Sequence, residues 1–245
     1  MTDDALLGVL HATADAVRHA LVTVGDRRPT TDRPGQYAID LVADAAAVPV
    51  LLDAGLGVLS EESGLHRPER AVVVALDPVD GSTNASRGIP WYATSLGVVD
   101  ADGPRAAVVV NQSSGERFEA VRGGGARCDG MDIRPSACTE LSESVIGLSG
   151  YPDTHLGWRQ YRALGAAALD LCAVASGRLD GYLDTSTGMH GPWDYLGGLL
   201  VCQEAGAVVV DGAGRDLVDL GHGTRRAPVA AAGPELLGQL LAARG

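Results

Sequence analysis

The chain contains no lysine. All 19 of its basic residues are arginine, set against 31 Asp and Glu, for a formal net charge of −12. Without an ε-amino group, Schiff-base catalysis and a P-loop lysine are excluded. No basic stripe breaks the acidic background, so a nucleic-acid partner is not expected. Aromatic residues are scarce: three Trp, six Tyr and one Phe in 245 residues. No apolar run approaches the roughly 18 residues of a membrane span, and no membrane association is expected. The opening Met1-Thr2-Asp3-Asp4 lacks the basic region of a signal peptide, which predicts a cytoplasmic protein. The four cysteines, Cys128, Cys138, Cys172 and Cys202, never stand at C-x-x-C spacing, so no zinc or redox motif is indicated.

What is present reads as an ordinary globular chain, 46% hydrophobic and 20% charged. Apolar spacing predicts an amphipathic helix over 3–24 (Leu6, Val9, Leu10, Val17, Leu21), then a polar, basic loop from Gly25 to Gly35. A second helix is expected from Asp40, with a kink or break at Pro49. Strands are expected at 56–60, 71–76, 93–99, 106–111 and 117–121. Beyond residue 140 the pattern alternates: strand 144–149, helix 163–176, strand 180–184, helix 194–205, strand 207–210, strand 228–232 and helix 234–243. This predicts an α/β fold of two packed halves, an α+β half over 1–140 and an α/β half over 141–245.

One segment carries more chemistry than the rest. The apolar run Ala71-Val72-Val73-Val74-Ala75-Leu76 leads into Asp77-Pro78-Val79-Asp80-Gly81-Ser82-Thr83-Asn84. A buried strand therefore ends in two carboxylates three residues apart, followed by a turn and a helix start. Hard carboxylate oxygens suit Mg²⁺, and free N–H groups at a helix start suit phosphate. The competing reading is a decorated turn, since Asp-Pro and Asp-Gly are common turn formers. Two further segments weigh against it: Leu59-Ser60-Glu61-Glu62-Ser63-Gly64 at another strand end, and Trp193-Asp194-Tyr195-Leu196-Gly197-Gly198 opening a helix that runs to Glu204-Ala205-Gly206.

In this order, the three segments resemble the inositol monophosphatase superfamily, and within it the dual fructose-bisphosphatase/inositol-phosphatase group. The resemblance implies a layered αβαβα fold, a homodimer and two or three Mg²⁺ ions acting on a small phosphorylated substrate. It matches Glu61, Asp77, the Val79 carbonyl, Asp80 and Asp194 to metal ligands. Ser82 matches the hydroxyl that contacts the attacking water, and Asp40 the acid that activates it, with Asp44 as the competing choice. Gly81, Ser82 and Thr83 would offer backbone N–H groups to phosphate. Asp184 matches an acid that bonds substrate hydroxyls. His190 is a candidate substrate contact, its alternative a solvated loop histidine.

The chain departs from the common family form at Ala85, where an aromatic usually follows the Asn, and at Ala166, where a hydroxyl is usual. Substrates implied are polyol, cyclitol or sugar phosphates. Trp91, Tyr92 and Trp193 leave open a nucleoside phosphate, through stacking on a base. Arg87 is the basic residue nearest the phosphate turn, for a second phosphate or for solvent. A non-catalytic sugar-phosphate-binding protein is the rival of a different class.

Overall fold

The computed structural model describes residues 1–24 and 37–245. The expected loop from Gly25 to Gly35 lies outside the described residues. Helix α1 (Asp3–Thr23) starts where Thr2 Oγ1 accepts the Ala5 N–H, and it buries Leu6, Leu10, Ala14, Val17 and Leu21 along one stripe. Helix α2 (Ala38–Asp53) packs against it and continues through Pro49, so that of the expected kink or break the break does not occur. Pro49 and Ala45, four residues earlier, are both exposed, so water can take the carbonyl that Pro49 leaves unbonded. Ala47, Val48 and Leu51 keep the buried face intact on either side of it.

Strands β1 (Gly57–Ser60), β2 (Gly64–His66) and β3 (Val73–Asp80) follow, with β1 and β3 parallel. Every residue of β3 is buried, as a central strand covered on both faces requires. After the short helix α3 (Ser82–Arg87) come β4 (Ala93–Asp100), β5 (Gly103–Asn111), β6 (Arg117–Val121), β7 (Gly125–Cys128) and β8 (Met131–Asp132). Together these eight strands form one sheet in the order β2-β1-β3-β4-β5-β6-β7-β8.

A second sheet is built from β9 (Val145–Ser149), β10 (Gln160–Arg162), β11 (Gly181–Asp184), β12 (Val208–Asp211) and β13 (Pro228–Ala231), in the order β10-β9-β11-β13-β12. Helices α4 (Ala167–Ala175) and α5 (Pro192–Ala205) lie between the sheets, and α6 (Pro234–Arg244) covers the far side of the second. With α1 and α2 outside the first sheet, the layers run αβαβα. The helix expected from 163 starts later, because β10 occupies 160–162 and Gly165 turns the chain at φ 83°. Sheet one ends at Asp132 and sheet two begins at Val145, while α5, from the later part of the chain, packs on β3, β4 and β5.

Candidate active site

Strand β3 does not end as a regular ladder. Its register against β4 shifts between Asp77, opposite Ser95, and Asp80, opposite Ala93. Pro78 has no N–H to contribute, and the bulge turns both Asp77 and Asp80 toward the site. The Val79 N–H donates to Asp77 Oδ1 (2.9 Å). Ser95, the partner of Asp77, donates from its Oγ to the Trp193 carbonyl (3.0 Å), which brings the start of α5 to the end of β3. There Asp194 Oδ2 accepts the Gly191 N–H (2.7 Å), so Asp194 caps its own helix as it faces the cluster. Glu61 is set by its N–H to the Leu76 carbonyl (3.1 Å). Carboxylate oxygens of Glu61, Asp77 and Asp194 all lie within 4.8 Å of one another, close enough to share a cation. Asp80 stands beside them, its Oδ2 accepting the Ala168 N–H at the start of α4 (2.7 Å).

Such crowding shifts protonation. Burial, then the charges of Asp194 and its neighbours, push Glu61 up to about 9. Burial and Glu61 hold Asp77 well above the ordinary carboxylate range. Burial and Asp194 raise Asp80 to about 7, although the Ala168 N–H pulls the other way. Among the described residues, the four carboxylates have one ion-pair partner, His190, on Asp194. A divalent cation fits this donor set, since it would supply the missing positive charge. One oxygen of Asp77, Asp80 and Asp194 is oriented by a backbone N–H, leaving the second oxygen of each for such an ion.

The two acids at the start of α2 separate cleanly. Asp40 Oδ1 lies 2.6 Å from Ser82 Oγ, while its Oδ2 accepts the Tyr37 N–H (2.8 Å). Ser82 Oγ is also 2.8 Å from the Val79 carbonyl, and its single proton serves one acceptor at a time. Burial raises Asp40 to about 6 against those hydrogen bonds. Asp44 instead accepts a hydrogen bond from Ser60 Oγ, which in turn accepts the Glu62 N–H (3.1 Å). Gly81 enters α3 at φ 88°, and a Cβ there would meet the Gly165 and Trp91 carbonyls at 3.1 Å. The first backbone bond of the turn runs from the Ala85 N–H to the Gly81 carbonyl (3.0 Å). Thr83 Oγ1 lies 3.0 Å from the Tyr37 hydroxyl.

A cavity of about 280 Å³ opens beside the cluster, walled by Asp80, Ala166, Asp170, Tyr182 and His190. His190 is no solvated loop residue. Its Nε2 lies 3.1 Å from both Ser149 Oγ and the Tyr182 hydroxyl, and its Nδ1 3.3 Å from Asp194 Oδ2. Burial lowers its pKa, but the hydrogen bond and charge of Asp194, with Asp184 and Asp80, outweigh that and leave it raised. Asp184 is not on the cavity wall. As the last residue of β11 it is wholly buried, with Oδ1 accepting the Ser186 N–H and Oδ2 3.6 Å behind His190 Nε2. The expected hydroxyl-binding acid is therefore screened by a histidine.

Sequence reasoning passed over Asp170. It is 1% exposed and accepts the Trp91 indole N–H (2.9 Å), and burial holds its carboxyl well above the ordinary carboxylate range. An acid inside the apolar run Ala167-Ala168-Leu169-Asp170-Leu171 was the available signal. Its bond also ties down Trp91. Trp193 is 3% exposed against Leu59 and Val73, with Arg225 over its ring, and Tyr92 packs into the core beneath α1 and α2. Thus the expected stacking platform for a base is not formed by these three side chains. Arg87 is exposed.

A five-layer α/β chain with an acidic cluster at the strand ends defines a class with known members. A model of the inositol monophosphatase family matches residues 39–244, and the chain belongs to that family. It is 33% identical over 203 residues to a fructose-1,6-bisphosphatase of Pyrococcus furiosus, covering 81% of this chain and 79% of that one. A putative Nus factor SuhB of Neisseria meningitidis serogroup B is 34% identical over 200 residues, 75% of this chain and 73% of its own. Among solved structures, a Pyrococcus horikoshii protein with similarities to inositol-1 monophosphatase superimposes with a TM-score of 0.89 at 25% identity, over 99% of both chains. A protein described as inositol monophosphatase–fructose 1,6-bisphosphatase gives 0.87 at 25% identity, over 99% of this chain and 100% of that one.

Proposed function

We propose that the chain is a Mg²⁺-dependent phosphomonoesterase acting on a small phosphorylated polyol, cyclitol or sugar. The observation that carries this reading is the meeting of Glu61, Asp77, Asp80 and Asp194 with no arginine paired to them among the described residues, three of the four raised by burial and mutual repulsion. Glu61, Asp77, the Val79 carbonyl, Asp80 and Asp194 would hold two Mg²⁺, with Asp40 available to a third. When bound, the ions supply Lewis acidity, neutralising phosphoryl charge and acidifying a water molecule. Asp40, ionised at neutral pH, draws the Ser82 proton toward itself, so that Ser82 Oγ can accept a hydrogen bond from the attacking water. Backbone N–H groups of Gly81, Ser82 and Thr83 face the transferred group at the turn. His190, on the cavity wall, contacts the substrate's hydroxyls, and Asp184 acts by orienting that ring.

The same reading includes a cytoplasmic homodimer, checked by sedimentation and by fractionation of the producing cell. The rival, a binding protein without turnover, gains interest from the relative named a Nus factor. Phosphate release from a panel of monoesters, measured in Mg²⁺ and in EDTA, separates the two. We expect activity in Mg²⁺ alone, and a loss in Asp77→Asn exceeding the roughly 10–100-fold typical of removing an outer-shell partner. Turnover that survives EDTA, or a fully active Asp77→Asn, refutes the assigned ligand set. No release from any monoester in Mg²⁺ favours the binding protein.

A further inference from the structure

A second cavity adjoins the first, and nothing in the proposed chemistry uses it. Its volume is about 380 Å³, and Tyr151, Pro152, His155, Trp158 and Tyr161 form its walls. Leu148, Gly150 and Ala163 line both cavities, so the two share a wall. Tyr151, Trp158 and Tyr161 are three of only ten aromatic residues in the chain, gathered within one short segment. The rings of Trp158 and Tyr161 stand in a row with His155: 5.1 Å from His155 to Trp158, and 6.1 Å from Trp158 to Tyr161. Trp158 is buried, whereas Tyr151 is 91% and Tyr161 54% exposed, leaving two large rings in water beside a concave site. The expected stacking residues, Trp91, Tyr92 and Trp193, are committed elsewhere, whereas Tyr151 and Tyr161 stay exposed.

Charge narrows the occupant. No arginine lines either cavity among the described residues, and Asp153 stands at the second. A distal phosphate would find no arginine among the described wall residues and would face the Asp153 carboxylate. A flat, uncharged ring would find aromatic faces on which to stack. The two volumes together also fall in the range of about 300–1,000 Å³ that holds a whole small ligand rather than a bare sugar phosphate.

We infer that the aromatic cavity is the leaving-group compartment of the catalytic site, and that the substrate is a phosphate ester of a sugar or polyol bearing a flat, uncharged ring system, as in a nucleoside monophosphate. The phosphate lies at the carboxylate cluster, the hydroxylated part beside His190 and the ring between Tyr151 and Tyr161. This rests on the phosphomonoesterase reading and narrows its substrate.

The test compares ribose 5-phosphate with adenosine and inosine 5′-monophosphates, which carry the same sugar phosphate with and without a base. In Mg²⁺, kcat/KM should favour a nucleotide by about tenfold or more, the scale of one base stacked on an aromatic ring. Tyr151→Ala and Tyr161→Ala, both at exposed positions, should lower kcat/KM for the nucleotide about tenfold more than for ribose 5-phosphate. Saturation-transfer NMR with adenosine alone, independent of turnover, should label the base protons in the parent and lose that signal in Tyr161→Ala. Ribose 5-phosphate hydrolysed as well as either nucleotide, with no adenosine signal, overturns the inference and leaves the phosphatase reading standing. Loss of all Mg²⁺-dependent release with adenosine still bound sinks the phosphatase reading instead. Variants that turn a dimer into a monomer and lower all substrates alike make this face an interface between copies, and the inference falls.

Discussion

Asp40 and Ser82 are 42 positions apart in the chain and 2.6 Å apart in space. Their value to catalysis depends on a single proton, because Ser82 Oγ has two acceptors within reach, Asp40 Oδ1 and the Val79 carbonyl. An Asn at position 40 keeps the shape but weakens the pull on that proton. Asp40→Asn should therefore reduce kcat with little change in KM, as for an interaction made chiefly in the transition state. Ser82→Ala should cost a similar factor, roughly 10²-fold for a lost acid–base contribution. Because both act on one water, the double variant should fall well short of the product of the two losses. Steady-state kinetics of the three variants decides this. Asp44→Asn is the control: Asp44 holds Ser60, so a crippled Asp44→Asn beside a healthy Asp40→Asn would transfer the role to Asp44.

At the scale of elements, the site exists because α5 can approach β4 closely. Gly97 on β4 and Gly197 on α5 face each other, and a Cβ on Gly97 would lie 2.8 Å from the Gly197 nitrogen. A Cβ on Gly197 would lie 2.8 Å from Ser95 Oγ, the group that holds the Trp193 carbonyl. Any added volume here pushes the start of α5, and Asp194 with it, away from Asp77. Gly97→Ala should cost about 1–3 kcal/mol of stability, as overpacking of a closed interior does. It should also weaken Mg²⁺ binding although it removes no ligand. Denaturant melts and a Mg²⁺ titration test both statements; wild-type Mg²⁺ affinity in a destabilised variant would show that the helix start does not depend on this contact.

For the whole molecule, the acidic cluster makes stability depend on pH with a predictable sign. Folded-state values of about 6 for Asp40, about 7 for Asp80 and about 9 for Glu61 all exceed the ordinary 3.8 of Asp and 4.5 of Glu. Between the unfolded and folded values the folded chain binds more protons, so the metal-free protein loses stability as pH rises from about 4 to about 9. Mg²⁺ binds the ionised carboxylates, so its stabilising effect should grow over the same interval. Each kcal/mol moves the melting temperature of a chain this size by about 2–4 °C. In EDTA, the melting temperature should be several degrees lower at pH 8.5 than at pH 5.5, with Mg²⁺ raising it more at the higher pH. Equal Mg²⁺ shifts at both pH values would mean the ion binds outside this cluster.

Local causes were legible in the sequence. The β3 run ending in Asp77-Pro78-Val79-Asp80-Gly81 announces a buried strand and a turn, because each feature depends on residues within a few positions of it. The same holds for the α5 start, where Pro192 and Asp194 mark a helix N-terminus. Three ordered segments of this kind sufficed for the family and its layered α/β fold. Tertiary structure alone decided what those segments meet. Only packing shows that α2 runs through Pro49, that β10 displaces the start of α4, and that Asp184 lies behind His190. It also sets Asp170 against Trp91 across 79 positions and gathers Tyr151, Trp158 and Tyr161 around a cavity. A strand end or a helix cap is set by backbone bonds between near neighbours, which spacing reveals. A cavity wall is set by which distant faces bury one another, and no short stretch of residues encodes that.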